Sequence, residues 1–245
     1  MAIGDGANDV NMITAAHVGI GIRGVEGQQA ARASDYVLGE FKLLRRLLLY
    51  YGRESYRRNA NLICYNFFKN MVLVIPQFWF GFLNGFSGQN IYNPFLYQLY
   101  NMLHSSFPIV IYGLLDKEYS GRFLMSHSNL YINGMKNKLF NLKVFWKWIF
   151  AGFIQSLIIT IPTYLALGQF SSDMQTGEEM LFWGCGMSVY GALIIVTNLK
   201  ILIFSHTYSV LNFILVAFSI LSYYVIFWFT SKKYVTFGDY GTAEK

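Results

Sequence analysis

The hydrophobic pattern of the chain changes near residue 60. Before that point, short apolar stretches alternate with Gly, Asn and charged positions, as is typical of a water-soluble α/β fold. After it, long apolar runs dominate, and a helix needs about 20 such residues to cross about 30 Å of hydrocarbon. Five runs of that length occur, at about residues 61–83, 93–115, 144–168, 180–204 and 209–231. The pattern predicts a multi-pass α-helical membrane protein with about five transmembrane helices.

The first 40 residues carry the signals of a small α/β unit. They predict strands at residues 2–3, 18–22 and 36–38, and helices at residues 8–17 and 28–33. So few elements cannot bury a hydrophobic core of their own. We therefore expect residues 1–40 to be the C-terminal part of a larger cytosolic domain.

The segment that follows links this unit to the apolar runs. Apolar residues recur at helical spacing among basic ones from Phe41 to Arg58, with no proline before the first run. The spacing predicts one continuous stalk helix over residues 41–60, in which movement of one end would reach the other. The membrane region is then expected over residues 61–231, with a tail at residues 232–245.

The composition excludes several classes of protein. Charged residues make up 13% of the chain, about half of the roughly 25% usual in soluble domains, and the mean hydropathy is +0.36. Neither a soluble globular fold nor a disordered chain fits these values. Cys64 and Cys185 both lie in apolar runs, so we expect no disulfide framework. The formal charge of +6 comes from bases that flank apolar runs, which indicates membrane topology and not nucleic-acid binding.

The flanking charges predict an orientation. Residues 42–58 and the loop after the second run are rich in Lys and Arg, whereas residues 84–92 and 169–179 have none. Because basic loops stay in the cytoplasm, the N-terminal segment is expected to be cytosolic. Lys232 and Lys233 would then lie on the opposite side, which departs from the rule.

The string GDGANDV at residues 4–10 is the strongest chemical signal. Its glycines permit a tight turn after a strand, Asp5 supplies a hard oxygen ligand, and Asn8 and Asp9 stand at a helix start that favours anions. Mg²⁺ prefers one or two carboxylates together with waters and substrate oxygens. We predict that Asp5 binds Mg²⁺ and that Asn8 and Asp9 contact the ion or a phosphate. The alternative is a surface turn with an acidic helix cap.

Lys69 lies within the first apolar run, and residues 61–115 contain no Asp or Glu. A lysine near the middle of a membrane helix costs about 3 kcal/mol on insertion scales and usually faces a bundle interior or a watered cavity. Asn66 and Asn70 flank Lys69 on the helix, and Gln77 and Asn84 continue this polar face.

The second apolar run has a polar side of its own. Tyr97, Asn101, His104 and Ser105 are expected to share one side of that helix. Two facing polar sides could form a groove for a polar ligand group inside the membrane, and we predict that Lys69, Asn70, Asn66 and Asn101 contact it. Alternatively, these polar groups only bond one helix to another.

Several segments together resemble a known family. They are AIGDGANDVNMI with AHVGIGIRGVEGQQAARASDYVLGEF, then LLLYYGRESYRRNANLICYNFFKN, and then NGFSGQ, YNMLHSSFP and LLDKEYS. These motifs resemble those of the C-terminal part of P-type ATPases of the phospholipid flippase subclass, type IV. The likeness extends over essentially the whole chain and weakens after about residue 150.

The resemblance implies properties that the residues alone do not. It implies a haloacid-dehalogenase-like phosphorylation domain, ATP as energy source and an aspartyl-phosphate intermediate. Asp5 and Asp9 would be the Mg²⁺ carboxylates, Asn8 would contact phosphate, and Lys69 with Asn70 would handle lipid. It also implies a small accessory subunit and a plasma membrane or endomembrane of a eukaryote.

The sequence departs from the family at the phosphorylation site. No DKTGT motif occurs, so this chain by itself is expected to be an inactive C-terminal fragment of the enzyme. Two alternatives stay open. One is a P-type cation pump, which would need carboxylates in the membrane, and the other is a noncatalytic membrane relic or scaffold.

Overall fold

The computed structural model describes residues 1–24, 28–168 and 182–230. The chain divides into two compact units, one of residues Met1–Tyr56 and Tyr119–Lys136, the other of residues Arg57–Glu118 and Asn137–Lys245. The predicted loop at residues 169–179 and the predicted tail at residues 232–245 lie outside the described residues.

The regular elements are three strands and eleven α-helices among the described residues. The strands are β1 (Ala2–Gly4), β2 (Gly19–Ile22) and β3 (Tyr36–Leu38). The helices are α1 (Val10–Ala15), α2 (Gln29–Ala33), α3 (Leu44–Arg46), α4 (Arg53–Leu83), α5 (Pro94–Leu99), α6 (Ser106–Leu115), α7 (Gly121–Ser126), α8 (Ile132–Met135), α9 (Leu142–Gly168), α10 (Phe182–Phe204) and α11 (Val210–Thr230).

The first unit contains a parallel sheet in the order β1-β2-β3. Ala2 pairs with Gly19, and Ile20 pairs with Tyr36. Helices α1 and α2 connect the strands, as parallel pairing requires, and Ile13 and Ala30 are fully buried on them. The three predicted strands and two predicted helices are thus confirmed, with ends that shift by one or two residues.

The predicted stalk is helical at every position, although not of one kind. A 3₁₀ turn at Phe41–Leu43 is followed by α3, by a π-helix at Leu47–Gly52 and then by α4. A π segment inserts about one extra residue per turn. The apolar positions at α-helical spacing therefore do not keep to one face through this stretch.

Three described helices are long and apolar enough to cross a membrane, at Leu142–Leu167, Gly184–Phe204 and Val210–Thr230. The expected count of about five is not confirmed. Helix α4 includes the first predicted span, but Lys69 and neighbouring amides lower its hydropathy. The second predicted span is divided into α5, a π-helix at Tyr100–His104 and α6, so it contains no single long α-helix.

Tyrosine hydroxyls join the helices of the second unit. Each of five buried tyrosines, four on helices and Tyr92 in the loop before α5, donates its O–H to a backbone carbonyl of a helix elsewhere in the unit: Tyr65 to Thr197 at 3.3 Å, Tyr92 to Leu73 at 3.1 Å, Tyr100 to Lys69 at 3.2 Å, Tyr190 to Leu96 at 2.6 Å and Tyr223 to Met187 at 2.7 Å. Such bonds matter in lipid because apolar side chains gain little there by leaving lipid tails for protein. The ring supplies packing area and the hydroxyl fixes the position of the neighbouring helix.

A buried ion pair ties the start of α4 to two loops of the same unit. The Arg57 guanidinium donates to the Asp116 carboxylate at 2.7 Å, and both side chains are almost fully buried. The other Asp116 oxygen accepts the backbone N–H groups of His206 and Thr207 at 2.7 and 2.9 Å. Arg57 therefore has a structural partner as well as the role in topology that its charge predicts.

Gly186 on α10 allows a close approach of the Ile91 backbone. A Cβ atom there would overlap the carbonyl oxygen of Ile91, whereas a Cβ on Gly113 of α6 would lie 3.5 Å from Leu62 Cδ1, an ordinary contact. Gly186→Ala is therefore expected to lower stability by about 1–3 kcal/mol. Gly113→Ala, the matched helical control, is expected to be neutral or stabilising by up to about 1 kcal/mol. Thermal unfolding of the detergent-solubilised protein measures both, and equal Tm values would contradict the close contact.

Candidate functional site

The turn after β1 places the motif residues at the carboxyl end of the sheet. Asp9 Oδ2 accepts the backbone N–H groups of Asp5 at 3.2 Å and Gly6 at 3.4 Å. A Cβ on Gly4 would overlap the Asp9 side chain. The glycine is thus needed for Asp9 to fold back over the loop, and this carboxylate holds the turn in shape.

Asp5 and Asn8 have exposed side chains in this turn. The loop after β2 is adjacent, because a Cβ on Gly24 would lie 3.6 Å from Asp5 Cβ. Carboxyl ends of parallel strands are the usual place for ligands in α/β folds. Within the described residues, no group of three or more His, Cys, Asp and Glu side chains is arranged to hold a metal ion. One exposed carboxylate with a nearby amide still fits Mg²⁺, which keeps several waters and binds substrate oxygens.

Lys69 is buried on α4 with only 6% of its surface exposed. Its Nζ donates to Ser105 Oγ at 3.2 Å, and Ser105 Oγ donates to the Tyr100 carbonyl at 2.8 Å. The Tyr100 hydroxyl in turn donates to the Lys69 carbonyl at 3.2 Å. Three hydrogen bonds thus close a ring between α4 and the second predicted span. We call Lys69, Tyr100 and Ser105 the lysine ring.

The π-helix at Tyr100–His104 changes which residues face the bundle. His104 and Ser105 are fully buried, whereas Tyr97 and Asn101 are exposed. The prediction that all four share one side is therefore wrong, because a π turn holds more residues than an α turn and shifts the helix phase. Sequence reasoning also missed Tyr100. No signal in the sequence marks Tyr100, because its bond with Ser105 depends on the π turn, which places the two residues one π-helical repeat apart.

The remaining predicted contact residues do not join the lysine ring. Asn66 is half-buried and Asn70 is exposed on α4, one residue from Lys69 in the chain. Asn101 lies on the exposed side of the π-helix. Their roles in binding stay predictions.

His104 connects helices within the bundle. Its Nδ1 lies 3.2 Å from Ser222 Oγ, and its carbonyl accepts the Asn198 side-chain amide at 2.9 Å. Its ring meets the rings of Tyr190 and Tyr223 edge to face. These contacts show that His104 bonds one helix to another. This was the alternative interpretation of the polar residues in the second predicted span.

Gln77 fixes the loop that follows α4. Its Nε2 donates to the Gln89 carbonyl at 2.7 Å, and its Oε1 accepts the Ile91 N–H at 2.9 Å. A cavity of about 420 Å³ opens beside it, bounded by α4, α5 and this loop. The polar face predicted on α4 thus continues to a cavity eight residues beyond Lys69.

Comparison with known proteins identifies the family. The sequence model described as "Phospholipid-translocating P-type ATPase C-terminal" matches residues 31–245. The chain is similar to the phospholipid-transporting ATPase DRS2 of Saccharomyces cerevisiae, with 39% identity over 93% of this chain and 17% of that protein. It is also similar to the phospholipid-transporting ATPase IC of Xenopus tropicalis, with 43% identity over 82% of this chain and 16% of that protein.

A human relative agrees with these two. The phospholipid-transporting ATPase ID of Homo sapiens is 37% identical over 92% of this chain and 19% of its own length. The chain spans less than a fifth of each of these relatives. The family match over residues 31–245, together with the identity to these relatives, leads to one assignment: the chain belongs to the phospholipid-translocating P-type ATPase family and corresponds to its C-terminal region.

Proposed function

We propose that this chain is part of an ATP-driven phospholipid translocase that works through an aspartyl-phosphate cycle. The observation that carries the proposal is the lysine ring, a cation held inside a bundle whose neighbouring spans contain no carboxylate. A phosphate group is the anion that such a lysine would attract in a membrane. The names of the relatives support the same substrate class.

The motif turn would serve the phosphorylation chemistry. Asp5 is suited to contact Mg²⁺ directly, with Asn8 toward the ion or a phosphate, and Asp9 would act mainly by holding the turn through the amides of Asp5 and Gly6. Bound Mg²⁺ would neutralise charge on the transferred phosphoryl group. The ATP-binding site and the phosphorylated aspartate would lie in parts of the enzyme that are not in this sequence.

The membrane context follows from the same proposal. The N-terminal unit would lie in the cytosol and the helices in a eukaryotic plasma membrane or endomembrane. The helical stretch from Phe41 to Leu83 supports a role as the stalk that transmits changes at the motif turn. A small accessory subunit is proposed from the family resemblance alone.

A cation pump fits the structure less well. A pump must replace the hydration shell of an ion with oxygen ligands, and membrane carboxylates usually supply them. Helices α9, α10 and α11 and residues 61–115 hold no Asp or Glu among the described residues. The lysine ammonium would also repel a cation.

The role of Asp5 can be tested in the full-length enzyme that contains this segment. Asp5→Asn removes the charge with little change in size and is expected to weaken Mg²⁺ binding at least about tenfold. Lipid-stimulated ATPase activity, measured against Mg²⁺ concentration, should fall accordingly. Glu40→Gln is the control, because Glu40 is exposed and forms its ion pair with Lys42, which is also exposed. Equal Mg²⁺ dependence in wild type and Asp5→Asn would contradict the proposed role.

The role of Lys69 can be tested by Lys69→Met, which removes the charge and retains most of the length. Loss of a charge-assisted hydrogen bond to phosphate is expected to lower lipid transport about 10- to 100-fold. The Tm should stay the same or rise, because the buried charge is itself unfavourable. Transport of fluorescent phospholipid in proteoliposomes and thermal unfolding measure the two effects.

Lys147→Met is the matched control for this variant, because Lys147 is an exposed lysine on α9. It should change neither measurement. A fall in Tm that parallels the loss of transport in Lys69→Met would mean that the lysine ring only holds the helices together.

A further inference from the structure

The cavity beside Gln77 has a wall held by hydrogen bonds, and the described residues that line it carry no charge. The Gln77 amide holds the loop at Gln89 and Ile91 through two hydrogen bonds, so the cavity wall is tied to α4. Among the described residues that line it, none is Asp, Glu, Lys or Arg, and the polar groups include the amides of Gln77, Asn90 and Gln98. This described part of the wall offers no counter-charge to an anionic headgroup.

Two tyrosine rings line the same cavity. Tyr92 and Tyr97 stack with ring centroids 6.1 Å apart and planes 20° apart. Tyr92 is buried and its hydroxyl donates to the Leu73 carbonyl at 3.1 Å, whereas Tyr97 is 42% exposed. Tyr92 therefore acts as a fixed support, and Tyr97 offers ring surface to a ligand.

A quaternary ammonium group fits the neutral, aromatic lining of this cavity. Such a cation has no N–H to donate and is attracted by the faces of aromatic rings, which is how proteins commonly bind choline. A primary ammonium would instead donate hydrogen bonds, and the described lining offers it only amide and hydroxyl oxygens and no carboxylate. The amide N–H groups of Asn90 and Gln98 can donate to a phosphate next to the choline.

A second cavity of about 340 Å³ shares Val74 and Gln77 with the first. Phe78 and Phe86 line it, and its wall is almost entirely apolar. The two cavities therefore meet at Val74 and Gln77.

We propose that the cavity at Tyr92, Tyr97 and Gln77 is a recognition site for the choline headgroup of zwitterionic phospholipids. The inference rests on the proposed function, for which it names a substrate class. The site would favour phosphatidylcholine over phosphatidylserine, because the wall offers ring faces to the choline and no cation to the serine carboxylate.

The test measures binding of dihexanoyl phosphatidylcholine and dihexanoyl phosphatidylserine to the detergent-solubilised full-length enzyme. Tyr97→Leu is expected to raise the Kd for the choline lipid about three- to tenfold, the scale of one lost cation–π contact. Tyr97→Phe keeps the ring and should bind as the wild type does. Phe95→Leu is the matched control, because Phe95 lies on the same helix with 41% exposure and does not line the cavity. Gln98→Lys should weaken the choline lipid and strengthen the serine lipid.

Three other outcomes would overturn the inference, and a fourth would overturn the proposed function instead. Equal loss of both lipids in Tyr97→Leu would mean an unspecific apolar contact. Choline chloride that binds as tightly as the lipid would make the ligand a soluble cation. Absence of saturable choline-lipid binding to the wild type would remove the site, even if lipid-stimulated ATPase activity persists. Saturable binding without any lipid-stimulated activity would instead refute the proposed function and leave the site standing.

Discussion

The ammonium group of Lys69 cannot be buried in an apolar bundle unless polar atoms replace its water. No carboxylate is available within residues 61–115, so neutral dipoles do this instead. Ser105 Oγ accepts a hydrogen bond from the ammonium and donates its own O–H to the Tyr100 carbonyl. This arrangement fixes the position of the charge without neutralising it. A carboxylate partner would stabilise the buried lysine more strongly, but the neutralised pair would no longer attract an anion.

The neighbouring structure follows from that constraint. The π turn brings Ser105 and Tyr100 to the same point, and the Tyr100 hydroxyl returns to the Lys69 carbonyl. Farther along the bundle, other tyrosines make the same kind of bond to backbone carbonyls. A full ion pair occurs at Arg57 and Asp116, near the end of α6. Opposite charges are thus kept together at the end of the helices, and a single sign of charge is kept at the lysine ring.

The sequence predicted elements whose signals are local. The strands around Ile3, Ile20 and Val37 follow from short apolar stretches between turns, and the long helices follow from apolar runs. It could not predict the π turn, because one added residue per turn leaves no mark on composition. The π turn shifts the phase of the helix, so that Asn101 lies on its exposed side. The same turn divides the second predicted span into α5 and α6.

Contacts between segments that are far apart in the chain also could not be predicted from the sequence. Asp116 was not matched with Arg57, since the two are 59 positions apart and charge near a membrane helix predicts topology equally well. Asp9 was predicted as a metal ligand from its residue type. The structure adds that its carboxylate bonds to the amides of Asp5 and Gly6, a detail that depends on the close approach allowed by Gly4.

Lys69 and Gln77 are eight residues apart on α4, which corresponds to about 12 Å along the helix. The wall near Gln77 is neutral and aromatic, and the wall near Lys69 is cationic. Under the two proposals, a choline lipid meets ring faces first and a lysine later, so the same headgroup is bound through its cation at one point and its phosphate at the other. Choline would then be distinguished at the cavity alone, because every phospholipid carries the phosphate that Lys69 attracts. Selection and movement would therefore depend on different parts of one helix.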